Sequence, residues 1–500
     1  MPRSKKLFVV LFILLLSSSS IYPQSPTVIK INRIDSFIKL VRDSLGIKTG
    51  LTISVVRGDS ILFENAYGYS DIEKKVPATV NTPFYIASST KSFTAELTKI
   101  LSDEGALNID DPISEYLPGL ELPPPLNIQT ISLRDLLTHR SGIESIPIVL
   151  RTAYTGQFTN KKLLELFSKC RFTGKKYRYT NTDYVLASII IDSVTGKSWK
   201  DLLKEKIFDP LGMKNTSTYV SHYVKSDLPA SYTTTAGRAI GVRLEKTDAT
   251  MHAAGGIYST ADDLAKWLLF NINNGRFNGK QIVSAESMKE IHSAQEDFHQ
   301  TFFKYKRFAY GLGWIRSDYG GRLLIHHFGS YVGTRAHISF MPEEKMGVAL
   351  LINDDGDAFY TPDLVADYVY NVFGNVKNAD SIAYSELNYI TERAEREKEK
   401  EESKTEREEI PLPADFNYGG YTGVYTDDDF GSVKIEKKDN GLFLAYGNMK
   451  GDMSYKDRNN FTAVLGQFKV KVEFDFDDKT NPAGSLIIYG PVKMTFKKKG

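Results

Sequence analysis

The sequence predicts an α/β protein, an antiparallel sheet flanked by helices with a mostly helical subdomain, followed by a second, small all-β domain. Three observations carry this. Alternating apolar stretches occur near the start (Leu51–Val56 and Ile61–Tyr69) and again after residue 310, with helical patterns between, so one sheet draws strands from both ends of the segment. The region from Asp110 to Asp263 is dominated by helical periodicity. Beyond a run rich in Glu, Lys and Arg, only short alternating segments follow. The expected boundaries are 1–24 for a leader, 28–376 for the first domain, 377–410 for a charged linker and 411–500 for the β domain. The length of 500 residues accommodates them.

In order along the chain, Arg3, Lys5 and Lys6 precede the apolar run Leu7–Leu16 and the small residues Ser17–Ser20. This is the pattern of a secretory signal and is too short for a permanent membrane span. It predicts a secreted or periplasmic protein with no stable membrane anchor once the leader is removed. The formal net charge is +2, about −1 without those three residues, which argues against a nucleic-acid partner. Cys170 is the only cysteine, so no disulfide within the chain is available, and an apolar neighbourhood marks it as a core residue.

Ile31, Ile34, Phe37, Ile38, Val41 and Leu45 recur at helical spacing. A hairpin follows, turning at Gly58-Asp59. The spacing then predicts helices over Leu133–Leu137, Lys161–Lys169, Asp183–Val194 (closed by Gly196) and Thr260–Ile272, the last with Thr260 as N-cap. Strands resume at Tyr310–Ile315, Leu323–His327, Ala336–Met341 and Met346–Asn353, and Asp363–Val372 closes the domain as a helix. Residues 393–409 carry no apolar stripe and read as a solvated helix or a tether. In the β domain, Asn440-Gly441 is a hairpin signal within a sandwich or barrel.

Three short motifs carry chemistry. Ser88 and Lys91 lie three apart where a strand end (Phe84-Tyr85-Ile86) runs into a helix. A serine hydroxyl needs a proton acceptor and a positive field, and a lysine one turn on, beside a helix N-terminus, supplies both. Tyr179 and Asn181 follow a Gly/Lys-rich loop; a phenol near a lysine can exchange protons with a serine and a leaving group, and an amide can hold the lysine and a substrate. His327, Gly329 and Ser330 end a strand, where glycine lets a substrate approach free backbone N–H groups, with His327 expected along the rim. The adjacent His326 and His327 lack the acidic spacing of a metal site, so no metal and no cofactor are expected.

Taken together and in order, Ser88-x-x-Lys91, Tyr179-x-Asn181 and His327-x-Gly329 resemble the three motifs of the serine β-lactamase-like superfamily. The resemblance is to its class C-related branch: class C β-lactamases, D-alanyl-D-alanine carboxypeptidases, D-aminopeptidases and family VIII esterases. Leu136–Gly142 and Ala254–Leu264 resemble the same branch, over roughly Ile31–Val372, and the C-terminal segment is similar to small lipocalin-like barrels. The resemblance implies a β-lactamase/penicillin-binding-protein-like fold and a Ser88 acyl-enzyme. Lys91 and Tyr179 share the proton work, with the base among them open. Asn181 orients Lys91 and substrate, and the Ser88 and Ser330 N–H groups form an oxyanion hole. His327 stands where class C β-lactamases carry lysine. A histidine only partly charged at neutral pH favours esters or amides without a carboxylate. The expected substrate is a small molecule or short peptide, cell-wall peptide included. The alternative is a β-lactamase, or a low-turnover penicillin-binding or sensing protein whose β domain holds an unidentified protein partner. His139 and His252 read as structural.

Overall fold

A computed structural model describes residues 25–499 except 243, 404–409, 440, 467 and 477–481. The expected leader, residues 1–24, lies outside the described residues. One antiparallel nine-stranded sheet organises the first domain. Its order from one edge is Glu296–Phe302, Tyr305–Tyr310, Ile315–Tyr319, Arg322–His326, Thr334–Met341, Met346–Ile352, Leu51–Arg57 and Ser60–Tyr67, with the short strand Gly329–Tyr331 also on Thr334–Met341. The N-terminal hairpin joins through a register running from Leu51↔Ile352 to Arg57↔Met346, so the sheet does use both ends of the segment.

The two-residue period of a strand sends successive side chains to opposite faces. Ala349 and Leu351 enter a core shared with Phe93, Trp267 and Trp314, while Val348, Leu350 and Ile352 enter a second core with Phe37, Val41, Val365 and Val369. Burial on both faces explains why Met346–Ile352 reads as an unbroken apolar run rather than an alternation. Helices Pro26–Ser44 and Thr361–Phe373 cover one face. Thr90–Asp103 and Ala261–Ile272 cover the other, where the Phe93 ring stacks on Trp267 at 3.8 Å. Local signals set the helix ends. Thr260 Oγ1 accepts from the Asp263 N–H at 3.1 Å, Ser132 and Asp135 form a reciprocal capping box, and Gly196 takes the left-handed conformation at φ +67° that ends Asn181–Thr195.

Three expectations are revised. Tyr310–Ile315 is not a strand: strands Tyr305–Tyr310 and Ile315–Tyr319 flank a turn at Gly311–Trp314. The turn exists because Gly313, at φ +73°, lies against the Lys91 carbonyl, where a Cβ would come within 2.6 Å. The linker expected at 377–410 holds a long helix, Ala379–Ser403, whose first half packs one face on the first domain, while its part from 393 to 400 is mostly exposed, as a solvated helix would be. Ala379, Ala383, Leu387 and Ile390 form an apolar stripe buried against the first domain. The β domain is a closed barrel of eight strands from Gly423 to Lys498, including three strands not anticipated: Gly423–Asp427, Met449–Tyr455 and Asn460–Leu465. Lys438 pairs with Gly441 across the expected hairpin, although Asn440 itself lies outside the described residues.

The barrel docks on the first domain. The Arg151 guanidinium donates to the Asp429 and Asp428 carbonyls at 2.7 and 2.9 Å, and the Ser432 N–H donates to Gln157 Oε1 at 2.7 Å. The barrel's core continues across the junction through Leu244 and Val332, with Leu150, Tyr154 and Tyr331 packed on it.

Candidate active site

Ser88 sits in a tight helical turn, Ala87–Ser89, that leads directly into Thr90–Asp103. Ala87 is held at φ +45°, a left-handed conformation that a non-glycine residue adopts only when its surroundings impose it. Here the third motif imposes it. Ser89 Oγ donates to the His327 carbonyl at 2.7 Å, and Gly329 lies so close to the Ile86 carbonyl that no Cβ would fit. Ser88 itself is half-buried and reachable from solvent.

Lys91 is fully buried one turn on. Its Nζ lies 2.7 Å from Asn181 Oδ1, 2.8 Å from the Ala254 carbonyl and 3.3 Å from Ser88 Oγ. Burial pushes its pKa well below the usual lysine value, and the Asp183 charge opposes this only in part. Asn181 opens the helix Asn181–Thr195, and Thr180 caps it by accepting from the Thr182 N–H at 3.2 Å. That cap leaves Tyr179 just outside the helix, with its ring 4.6 Å from Lys91 Nζ. Tyr179 exposes 41% of its surface; desolvation at the site raises its pKa, and an interaction with the Ser88 hydroxyl pulls it back in part. Ser88, Lys91, Tyr179 and Asn181 therefore converge on one cleft.

His327 is not on the rim. It is 2% exposed, and burial lowers its pKa well below the ordinary histidine value. Its Nδ1 faces the Phe328 carbonyl at 3.1 Å, which can only accept, so Nδ1 carries the proton. Nε2 then accepts from the Tyr310 hydroxyl at 3.1 Å. Both ring nitrogens are committed, so His327 is a neutral positioning group rather than a partly charged one. Its neighbour His326 bonds Ser317 at 2.8 Å and stacks on Phe328. Gly329 is buried against the nucleophile turn, and Ser330 is exposed, paired across its strand with Arg335.

His139, read from the sequence as structural, supports the second motif, while Asp183 and Arg307 were not singled out. The His139 ring lies 4.5 Å from the Tyr179 ring, and its Nδ1 accepts from the Thr180 N–H at 3.3 Å, which fixes the second motif. Asp183, buried and bonded to Ser141 at 2.6 Å, stands 3.6 Å from His139. Arg307 lines the cleft beside Tyr177, Tyr179 and His327; its Nε is buried without a hydrogen-bond partner. The only advance signal was the Leu136–Gly142 resemblance, which contains His139. Arg307 sits in the strand Tyr305–Tyr310, one in from the sheet edge, which no motif marks.

A family model described as Beta-lactamase matches residues 37–370. The chain is similar to Penicillin-binding protein 4* of Bacillus subtilis (strain 168), 23% identical over 465 residues, 88% of this chain and 92% of that protein. It is also similar to Protein flp of Staphylococcus aureus (strain MW2), 26% identical over 328 residues, 63% of this chain and 61% of that protein's length, which is less than two thirds. Among solved structures, an octameric penicillin-binding protein homologue from Pyrococcus abyssi aligns with TM-score 0.60 at 23% identity, covering 93% of this chain and all of that one, and shares the fold. A D-amino acid amidase from Ochrobactrum anthropi SV3, complexed with D-phenylalanine, aligns with TM-score 0.56 at 25% identity, covering 69% of this chain and 100% of the amidase.

Proposed function

The chain belongs to the Beta-lactamase family, and on that premise we propose that it is a secreted serine hydrolase that cleaves esters or amides through a Ser88 acyl-enzyme. The observation that carries this reading is the approach of the buried Lys91 Nζ to Ser88 Oγ at 3.3 Å. A neutral amine has two N–H groups and one lone pair. Asn181 Oδ1 and the Ala254 carbonyl can only accept, at 2.7 and 2.8 Å, so once the amine is neutral they hold its two N–H groups and its lone pair faces the Ser88 hydroxyl, to which the ammonium form donates at 3.3 Å. The lowered pKa supports the neutral form.

In this mechanism Ser88 passes its proton to Lys91 as Oγ bonds to the substrate carbonyl carbon. The N–H groups of Ser88 and Ser330 receive the developing oxyanion. Tyr179, whose raised pKa keeps the phenol protonated, gives a proton to the leaving group as the carbonyl–leaving-group bond breaks, and recovers one from Lys91. Water then cleaves the acyl ester and returns Ser88 to its hydroxyl form. Esterase or D-amino-acid peptidase activity outranks β-lactamase activity, because His327 offers no charge for a substrate carboxylate. Arg307 is the fixed cation nearest that role, and it keeps carboxylate-bearing short peptides within the substrate range. A fluorophosphonate probe tests the reading: it labels Ser88 in the full chain, Ser88→Ala and Lys91→Met abolish labelling, and a panel of esters, D-amino-acid amides and nitrocefin ranks the substrates. Absence of labelling in the folded wild-type protein overturns the proposal and favours a non-hydrolytic binding role.

A further inference from the structure

The barrel does more than dock beside the cleft. A cavity of about 370 Å³ opens between the two domains, with Tyr179, Thr180 and Asn181 at one end. Glu144 and Ser145 also border it, and the rest of its walls are mostly apolar. Ile146, Val149 and Leu150 line it from the first domain, and Met449, Leu465, Phe468, Ile488 and Met494 from the barrel. The walls are held at a set separation by the junction around Arg151 and Gln157, and the Phe468 ring packs edge-on to Tyr154 across it.

We infer that this cavity is a substrate subsite for a linear alkyl chain, so that the preferred substrate of the Ser88 site carries a medium-length hydrocarbon next to its scissile carbonyl. The inference rests on the hydrolase reading above and adds to it the class of substrate. The mostly apolar walls beside Tyr179 and Asn181 are the reason for committing to an alkyl chain. A reacting carbonyl belongs at the Tyr179 and Asn181 end, and a peptide extending the other way would leave its N–H and C=O groups facing Met, Leu and Ile without partners, whereas a hydrocarbon loses nothing there. The size falls within the range of cavities that enclose small ligands. Each methylene withdrawn from water on such a wall is worth roughly a three- to fourfold gain in kcat/KM.

The test uses the full chain and p-nitrophenyl esters of acetate, butanoate, octanoate and dodecanoate. The expected result is a steep rise in kcat/KM from acetyl to octanoyl, with octanoate inhibiting competitively. Val149→Trp, which fills the cavity from the half-buried helix at Ile146–Leu150, should cut the octanoyl-to-acetyl ratio at least tenfold. If that variant fails to fold, wild-type inhibition by octanoate compared with acetate decides in its place. A flat or falling chain-length series in protein whose Ser88 takes the fluorophosphonate label overturns the subsite and leaves the hydrolase reading intact. If Ser88 is unreactive, the hydrolase reading falls, and calorimetric titration with octanoate decides the cavity alone: no binding overturns it.

Discussion

Among the described residues, two lysines are buried without a carboxylate partner in hydrogen-bond reach, and one of them is set up to react. Lys91 and Lys246 are both pushed well below the ordinary lysine pKa by burial. Lys246 lies 3.8 Å from the Tyr331 ring and 4.8 Å from Tyr85, and it donates to the Ala153 carbonyl at 2.7 Å. Lys91 is likewise set against Tyr179 and Tyr184. The difference is one neighbour. Lys91 faces a hydroxyl that can give up a proton, and Lys246 faces aromatic rings and carbonyls that cannot. Desolvation makes an amine basic in the useful range, but the adjacent group decides whether that becomes chemistry. Lys246 instead ties together Tyr85, which precedes the nucleophile turn, and Tyr331, which follows Ser330 and packs on the barrel's core.

The largest expected effect separates these two roles. Lys91→Met should lower kcat by at least about a thousandfold, as expected for loss of a group acting in concert with the nucleophile, whereas Lys246→Met should cost roughly tenfold or less. Steady-state kinetics on one ester checks both, and equal losses would dissolve the distinction. Tyr179→Phe comes next, with a loss of roughly a hundredfold from removal of one proton donor, largest for amides and poor leaving groups. A third effect concerns the fixed cation that Lys91, being neutral, does not supply. Arg307→Gln should raise KM about tenfold more for a substrate bearing a carboxylate than for its methyl ester, and a KM ratio near one would remove Arg307 from substrate recognition.

The smallest effect checks the same burial physics on an acid, where the sign reverses. Burial, with the Asp262 charge, raises the pKa of Glu64 from its ordinary 4.5 to about 7. The folded chain holds this proton more tightly than the unfolded chain does, so folding gains nothing from ionisation and loses stability as pH rises from 4.5 through 7. Glu64→Gln should therefore be about 1 kcal/mol more stable than wild type at pH 8, a figure reduced because Glu64 is only half-buried, and no more stable at pH 4. Thermal melts at the two pH values decide it.

The sequence made the nucleophile legible because its chemistry is local: Ser88 and Lys91 lie one turn apart where the Ala87–Ser89 turn enters its helix, and Tyr179 and Asn181 share one helix start. The helix ends were legible for the same reason, since Thr260 and Gly196 act on their own backbone. What could not be read depends on contacts between distant segments. Gly311–Trp314 alternates like a strand, yet becomes a turn because Gly313 meets the Lys91 carbonyl. His327 keeps its residue type but loses its charge, because Tyr310 and the Phe328 carbonyl occupy both ring nitrogens. The charged stretch after residue 377 hides Ala383, Leu387 and Ile390, whose stripe has meaning only once a core exists to receive it. Arg307 and the interdomain cavity belong to no motif, since several chain segments build each.

The account turns on Lys91 being a neutral amine, and its ionisation can be followed directly. Nuclear magnetic resonance of the full chain carrying Ser88→Ala and 13Cε-labelled lysine should show Lys91, assigned by its loss in Lys91→Met, titrating well below the 10.5 of an ordinary lysine. A Lys91 signal that keeps its proton up to 10.5 or beyond would mean that the amine cannot take the proton of Ser88, and would contradict the mechanism.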